Sequence, residues 1–170
     1  MKRIGILSDT HSYLDDRIIA HLSDCHEIWH GGDIGNISVV EQLRSLAPLR
    51  AVYGNIDDSS MRLEFPLNNC FELEGVRVYI THIAGRPGAY PARVKSEINA
   101  FRPGIFVCGH SHICLIKMDP NSRLLHINPG AAGRHGFHRM RTMAKLSINE
   151  GKISNLQIVE LGLRALSNPV

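Results

Sequence analysis

Asp9 and His11 stand two residues apart, and so do His110 and His112. In an extended chain, side chains at that spacing leave the same face, so each pair can converge on one metal ion. Three more polar clusters offer matching chemistry: Gly31-Gly32-Asp33, Gly54-Asn55-Ile56-Asp57 and Thr81-His82. Asp33 has two carboxylate oxygens and can bridge two cations, and its glycines let the backbone turn tightly and approach closely. Asn55 offers a neutral carbonyl oxygen, while Asp57 can orient it or a neighbouring ligand from behind. His82 adds another imidazole at the end of a strand. Taken singly, each cluster has an ordinary reading as a loop, a turn or a hydrogen-bonded surface residue. Taken together, the carboxylates of Asp9 and Asp33, the Asn55 amide and the imidazoles of His11, His82, His110 and His112 supply enough donors for two divalent ions about 3.5 to 4 Å apart.

Every one of these clusters follows directly on an apolar strand, where open α/β sheets place their ligand crevice. Strands are predicted over 3–7, 27–29 and 49–53, with helices over 17–22 and 38–46 between them. That alternation implies a mostly parallel sheet with helices packed on it. A hairpin is expected around Glu74-Gly75, joining strands at 70–73 and 76–81, followed by a helix from Pro91 to about Phe101. Strands at 105–108, 114–118, 124–127, 142–148 and 153–161 make the second half richer in β-structure and imply a second sheet stacked on the first. No linker, repeat or low-complexity segment interrupts the chain, so residues 1–170 are expected to form one domain, frayed after Leu163.

Bulk properties exclude several classes. With 44% hydrophobic and 21% charged residues, the 170-residue chain has the composition of a folded globular protein and is long enough to bury one sizeable core. A net charge of +3, spread along the chain, leaves no basic stripe for a nucleic-acid polymer. No apolar run approaches the roughly 20 residues that span a bilayer. The start of the chain lacks the long apolar segment of a secretory signal, so a cytoplasmic location is expected. Cys25, Cys70, Cys108 and Cys114 fall at irregular spacing and are expected to be reduced and mostly buried. His21, His26, His30, His126 and Trp29 lie in or beside apolar runs and read as packing or hydrogen-bonding residues.

In order and spacing, D-x-H, G-D, G-N-x-D, strand-terminal T-H and G-H-S-H resemble the calcineurin-like metallophosphoesterases, and more closely their small YfcE-type phosphodiesterase branch. The resemblance implies an α/β fold, a four-layer αββα sandwich of two mixed sheets flanked by helices. It also implies the division of ligands: Asp9, His11 and His112 on one metal, Asn55, His82 and His110 on the other, and Asp33 between them. Asp33, Asn55 and His82 are then the expected catalytic residues. Asn128-Pro129-Gly130 matches the family's N-P-G segment, although the serine usual after it is Ala131 here. Larger members carry a histidine after the asparagine, where this chain has Ile56. The small branch often continues T-H-G-H, where this chain reads Thr81-His82-Ile83-Ala84.

The implied reaction is metal-dependent hydrolysis of a phosphate ester, by in-line attack of a hydroxide shared between two cations. Without an acid at position 56, leaving groups that depart easily are favoured, which points to a phosphodiester and a small phosphate-ester substrate. Mixed imidazole and oxygen donors suit Mn²⁺, Fe²⁺, Zn²⁺, Co²⁺ or Ni²⁺, with availability usually deciding and Mn²⁺ the first expectation. Ser111, flanked by two histidines, reads as a turn residue because no nucleophile elbow surrounds it. The basic stretch beginning at Arg134-His135 follows the N-P-G segment and is a candidate grip for substrate, or else a solvated loop. The family also contains a metal-poor retromer subunit acting as a protein-binding scaffold, the alternative function, and many members form homo-oligomers. A scaffold should have lost metal ligands, and all seven positions are filled here.

Overall fold

The structure, a computed structural model, describes residues 1–165. Strands β1 (Lys2–Leu7), β2 (Glu27–His30) and β3 (Leu49–Ala51) run parallel, linked by helices α1 (Asp16–Leu22) and α2 (Ile37–Leu46). Both helices begin on side-chain caps: Asp15 accepts from the Ile18 N–H and Asn36 from the Ser38 N–H. Helix α3 (Ser59–Glu64) is an addition to the predicted elements. It has six residues and one buried side chain, Met61, so no apolar period exists to reveal it.

Strands β4 (Asn68–Leu73) and β5 (Val76–Thr81) form the expected hairpin, with Glu74 and Gly75 both at positive φ in its turn. Helix α4 (Ala92–Phe101) starts one residue later than predicted, because Pro91 stands at the cap. Then come β6 (Ile105–Val107), β7 (Cys114–Met118), β8 (Leu125–Pro129), β9 (Met140–Asn149) and β10 (Lys152–Leu163). The fraying expected after Leu163 does not reach Arg164, whose N–H donates to the Arg139 carbonyl at 3.0 Å; beyond Ala165 that expectation lies outside the described residues.

The strands form two five-stranded sheets, β10-β9-β1-β2-β3 and β4-β5-β6-β8-β7. This corrects the predicted partition into a first-half and a second-half sheet. β9 and β10 join the first sheet, through β9 paired antiparallel with β1, while the early hairpin joins the second. Alternating polarity specifies which face of a strand is buried but not which neighbour it pairs with.

Three cores define the layers. Ile18, Leu22, Val40 and Leu43 of the helices pack on one face of the first sheet against Leu7 and Ile28. Ile4, Ile6, Trp29, Ala144 and Leu146 meet Val78, Ile80, Val107 and Ile127 between the sheets. Val94 and Ile98 of α4 cover Tyr79 and Phe106 on the outer face of the second sheet. The order is therefore α–β–β–α. All four cysteines are free, but Cys70 is exposed rather than buried. No helix among the described residues is long and apolar enough to cross a membrane.

Strands β1, β2 and β3 of one sheet and β5, β6 and β8 of the other are parallel within their sheets. Their C-terminal ends meet at one end of the sandwich. Hydrogen bonds from His82 Nδ1 to the Gly31 carbonyl, 2.7 Å, and from the His110 N–H to Asp9, 3.1 Å, cross between the sheets there.

Candidate metal centre

The loops leaving β1 and β6 bring Asp9, His11 and His112 together, with one donor atom from each within 4.8 Å of the others. His112 Nε2 lies 3.2 Å from Asp9 Oδ1. The Asp9 carboxylate is fully buried and accepts the His110 N–H, which fixes its orientation from the opposite sheet. The loops after β2, β5 and β6 assemble a second group from Asp33, His82 and His110 by the same criterion. Asn55, from the loop after β3, completes it: its Oδ1 lies 3.1 Å from His82 Nε2 and 2.8 Å from His110 Nδ1.

Asp33 stands between the groups. One carboxylate oxygen is 3.2 Å from His82 Nε2 and the other is 3.6 Å from His11 Nε2. The donor set fits two divalent cations: nitrogen and oxygen atoms converge from both sheets, and His11 Nε2 is buried with no hydrogen-bond partner. His82 Nδ1–H donates to Gly31, so Nε2 is the nitrogen turned toward Asp33 and Asn55.

The backbone that presents these side chains is not the extended chain assumed from the two-residue spacing. Asp9, His11, Asp33, His110 and His112 all lie at positive φ, between 46° and 69°. Asp, Asn and His tolerate the left-handed region better than most residues, yet each still costs on the order of 1 kcal/mol. Such a concentration of strain at one end of the sheets is a mark of function. Close packing holds it in place. A Cβ at Gly54 would overlap the Asp33 carboxylate, and one at Gly136, which lies at φ +117°, would overlap the His112 ring.

A buried network supports the ligands from behind. The Gly32 N–H donates to His30 Nδ1 at 3.1 Å, so His30 Nε2–H donates to Thr10 Oγ1 at 3.0 Å, and the Thr10 hydroxyl donates to the Ile34 carbonyl at 3.0 Å. This chain ties the residue between Asp9 and His11 to both sides of Asp33. Asp57 does not touch a ligand side chain. Its carboxylate accepts the N–H groups of Ile34, Gly35 and Gly54, joining the Asp33 loop to the Asn55 loop. Asn128 of the N-P-G segment acts through its side chain, whose amide donates to the Gly109 carbonyl and to Ser111 Oγ, both at 3.0 Å. Ser111 is thus a turn residue within the His110–His112 loop. His30 is a buried hydrogen-bonding residue, as its place in an apolar strand implies, and its place three residues before Asp33 is the signal that links it to the candidate ligands.

Electrostatics separates the imidazoles. Burial pushes His30 down to about 4, so it stays neutral within its network. Burial also lowers His11, against the opposing pull of Asp33 and Asp9. Burial works against protonation of His82 too, but there the adjoining Asp33 and Asp9 and the Gly31 carbonyl prevail and raise its pKa. Asp33 is itself held below the ordinary carboxylate range, because the His82 contacts and the Ile56 N–H outweigh its burial.

A family model described as the calcineurin-like phosphoesterase superfamily domain matches residues 1–151. The chain belongs to the calcineurin-like phosphoesterase superfamily. A probable metallophosphoesterase of Methanothermobacter thermautotrophicus is 29% identical over 133 residues, covering 75% of this chain and 76% of the relative. Vps29 of Chaetomium thermophilum has the same fold, with a TM-score of 0.74 at 15% identity over 94% of this chain and 97% of its own. Vps29 of Entamoeba histolytica, solved in complex with zinc, has a TM-score of 0.70 at 14% identity over 94% of this chain and 99% of its own.

The cleft of this calcineurin-like chain is rimmed by His135, Gly136 and Phe137, with Ile56 and Ser111 across from them. The His135 ring lies 4.7 Å from that of His11, and Phe137 is fully exposed. Arg134 is not brought to the same cleft. Its guanidinium covers the Tyr13 ring at 4.5 Å and lines a separate cavity with Asp15, Arg17 and Arg141. Of the two residues nominated in the basic stretch, the structure places His135 beside the candidate ligands and turns Arg134 away.

Proposed function

We propose that this phosphoesterase is a binuclear phosphodiesterase, working as one domain over residues 1–170. Asp9, His11 and His112 hold one divalent cation, Asn55, His82 and His110 hold the other, and Asp33 bridges them. The observation that carries the reading is Asp33, with one oxygen directed to each histidine group. Two bound dications supply an activated water near neutral pH and neutralise the phosphate oxygens.

The chain's own residues do the positioning. His30 and Thr10 hold the loop of Asp33, Asp57 holds it against the loop of Asn55, and Asn128 holds the loop of His110 and His112. Gly31 accepts from His82 Nδ1 and so turns Nε2 toward Asp33 and Asn55. Ile56 occupies the position beside Asn55, half-exposed and unable to give a proton to a leaving oxygen. That favours esters whose leaving group departs easily, and we take the substrate to be such a diester. Manganese is the proposed metal on the ground of availability, since the mixed donor set accepts several ions; zinc, the ion in the Entamoeba Vps29 complex, is the competitor. Four free cysteines support a reducing, cytoplasmic setting.

The test is hydrolysis of bis(p-nitrophenyl) phosphate against p-nitrophenyl phosphate with Mn²⁺. Diester turnover should exceed monoester turnover and vanish with chelator and in Asp33→Asn. Undiminished activity in the variant would remove Asp33 from the mechanism. A second reading, a protein-binding scaffold, draws support from the fully exposed Phe137 at the cleft rim and from the Vps29 likeness. Inactivity with every metal tried would favour it.

A further inference from the structure

A cavity of about 270 Å³ opens beside the second donor group and shares Asn55 and His82 with it. Tyr53, Leu67 and Ile83 give it an apolar and aromatic wall, and Arg62 and Arg93 flank it. Both guanidinium groups are tethered. Arg62 Nε donates to the Asp57 carbonyl at 2.9 Å and Nη2 to the Asn55 carbonyl at 3.3 Å, with the guanidinium 5.0 Å from the centre of the Tyr53 ring. Arg93 Nη1 donates to Asn68 Oδ1 at 2.6 Å and to Thr81 Oγ1 at 3.3 Å, and Nη2 donates to Thr81 Oγ1 at 3.3 Å and to the Ile83 carbonyl at 3.2 Å.

All of these acceptors are neutral. Among the described residues, neither arginine has a carboxylate within 4.0 Å, unlike Arg3, Arg44, Arg50 and Arg141. Two positive charges are therefore held in place by neutral acceptors in the segments around Asn55 and His82, with no directly ion-paired carboxylate among the described residues. A guanidinium has five donors in a rigid fork, and among the described residues these tethers leave Arg62 Nη1 and Arg93 Nε without an acceptor. A fork already held in position loses little freedom on meeting an oxyanion, so binding one is favourable. The apolar wall suits a ring or short chain attached to that oxyanion, and the volume lies just below the range of drug-sized ligand pockets, roughly 300 to 1,000 Å³, as a small substituent requires.

We propose that this cavity receives the organic substituent of the scissile phosphate, and that the substituent carries a second oxyanion, a carboxylate or a phosphate, on an apolar body. The proposal rests on the phosphoesterase reading and narrows its substrate class. Calorimetric titration of the Mn²⁺-loaded protein tests it with three probes: phenylphosphonate, p-carboxyphenylphosphonate and p-phenylenediphosphonate. At least one of the doubly acidic probes should bind about tenfold tighter than phenylphosphonate; which of the two gains identifies the oxyanion. Arg62→Gln and Arg93→Gln should shrink that ratio to under about threefold. Leu67→Glu should shrink it too, by adding a carboxylate to the lining of the same cavity from an exposed position whose side chain makes none of the arginine tethers, so the test survives if an arginine variant fails to fold.

Equal affinities for the three probes in the parent protein would overturn the subsite, as would a ratio unchanged in all the variants. Turnover of bis(p-nitrophenyl) phosphate, whose substituents carry no acid, reports on the phosphoesterase reading alone. Turnover with equal probe affinities rejects only the subsite. Absence of turnover together with absence of binding by every probe rejects both.

Discussion

The two donor groups use the same residue types on differently built supports. In the group of Asp9, His11 and His112, all three residues sit on left-handed backbone, and two ring atoms, His11 Nε2 and His112 Nδ1, are buried without a partner. In the group of Asn55, His82 and His110, side chains hold one another: Asn55 Oδ1 meets both rings, and His82 also reaches Gly31. The second group is organised by its own hydrogen bonds. The first is organised by strained loops and by the close approach of Gly136 to His112. A cation should therefore contribute more to the order of the first group than of the second, since a buried unpaired nitrogen gains most from a partner.

Asp33→Asn should have the largest effect, because that carboxylate faces both groups. Activity on a diester should fall about a thousandfold, and metal analysis should find at most one ion per chain retained. Survival of both ions would show that the groups are independent. Gly54→Ala should come next. The added methyl displaces the Asp33 carboxylate, costing about 1 to 3 kcal/mol of stability by overpacking and about a hundredfold in turnover, as a small misplacement of a reacting group does. Unfolding by urea and steady-state kinetics measure the two losses.

A sharper comparison sets His82→Ala against His11→Ala in chelator-treated protein. Loss of His82 strands the Gly31 carbonyl and removes the contact to Asn55, so stability should drop by about 1 to 3 kcal/mol. Loss of the His11 ring removes an imidazole whose Nε2 has no partner, and the drop should be under about 1 kcal/mol. Equal losses would erase the distinction drawn between the groups.

The smallest effect on the centre should come from His126, whose ring is held between Tyr90 and Cys108 and makes no hydrogen bond to either group. Burial pushes its pKa down to about 4 from 6.5, so between those values the unfolded chain binds more protons than the native one. Its neutral form therefore costs nothing above pH 6.5, and stability falls as pH drops through the window toward 4. From pH 7 to pH 5 this amounts to about 2 kcal/mol. Urea midpoints at the two pH values should show a shallower fall in His126→Leu, with diester activity and metal count unaltered.

Much of the centre was legible in the residues. The polar clusters after apolar runs marked the ends of β1, β2, β3, β5 and β6, because a strand that stays apolar until its last residue and then turns polar is leaving the core. The hairpin at Glu74-Gly75 was legible for a local reason, since its turn residues and flanking strands lie within a few positions of one another. Less could be read where the cause is distant in sequence. β9 lies beside β1 across more than a hundred residues, and nothing local to Thr142 or Leu146 names that partner. Arg134 and His135 are neighbours in sequence yet point to different cavities, while Arg62 and Arg93, unremarked as residues, flank one together.

By itself, the sequence determined the chemistry on offer: seven nitrogen and oxygen donors, placed where strands end, with an isoleucine where an acid could have stood. Only the tertiary structure decided how they are used. It chose left-handed loops over extended ones, directed one Asp33 oxygen to each group, selected the nitrogen each imidazole presents, and left two arginines beside Asn55 and His82 with no ion-paired carboxylate among the described residues. Donor type is a property of a single residue, whereas distance, orientation and missing counter-charge belong to pairs that meet only when the two sheets close on each other.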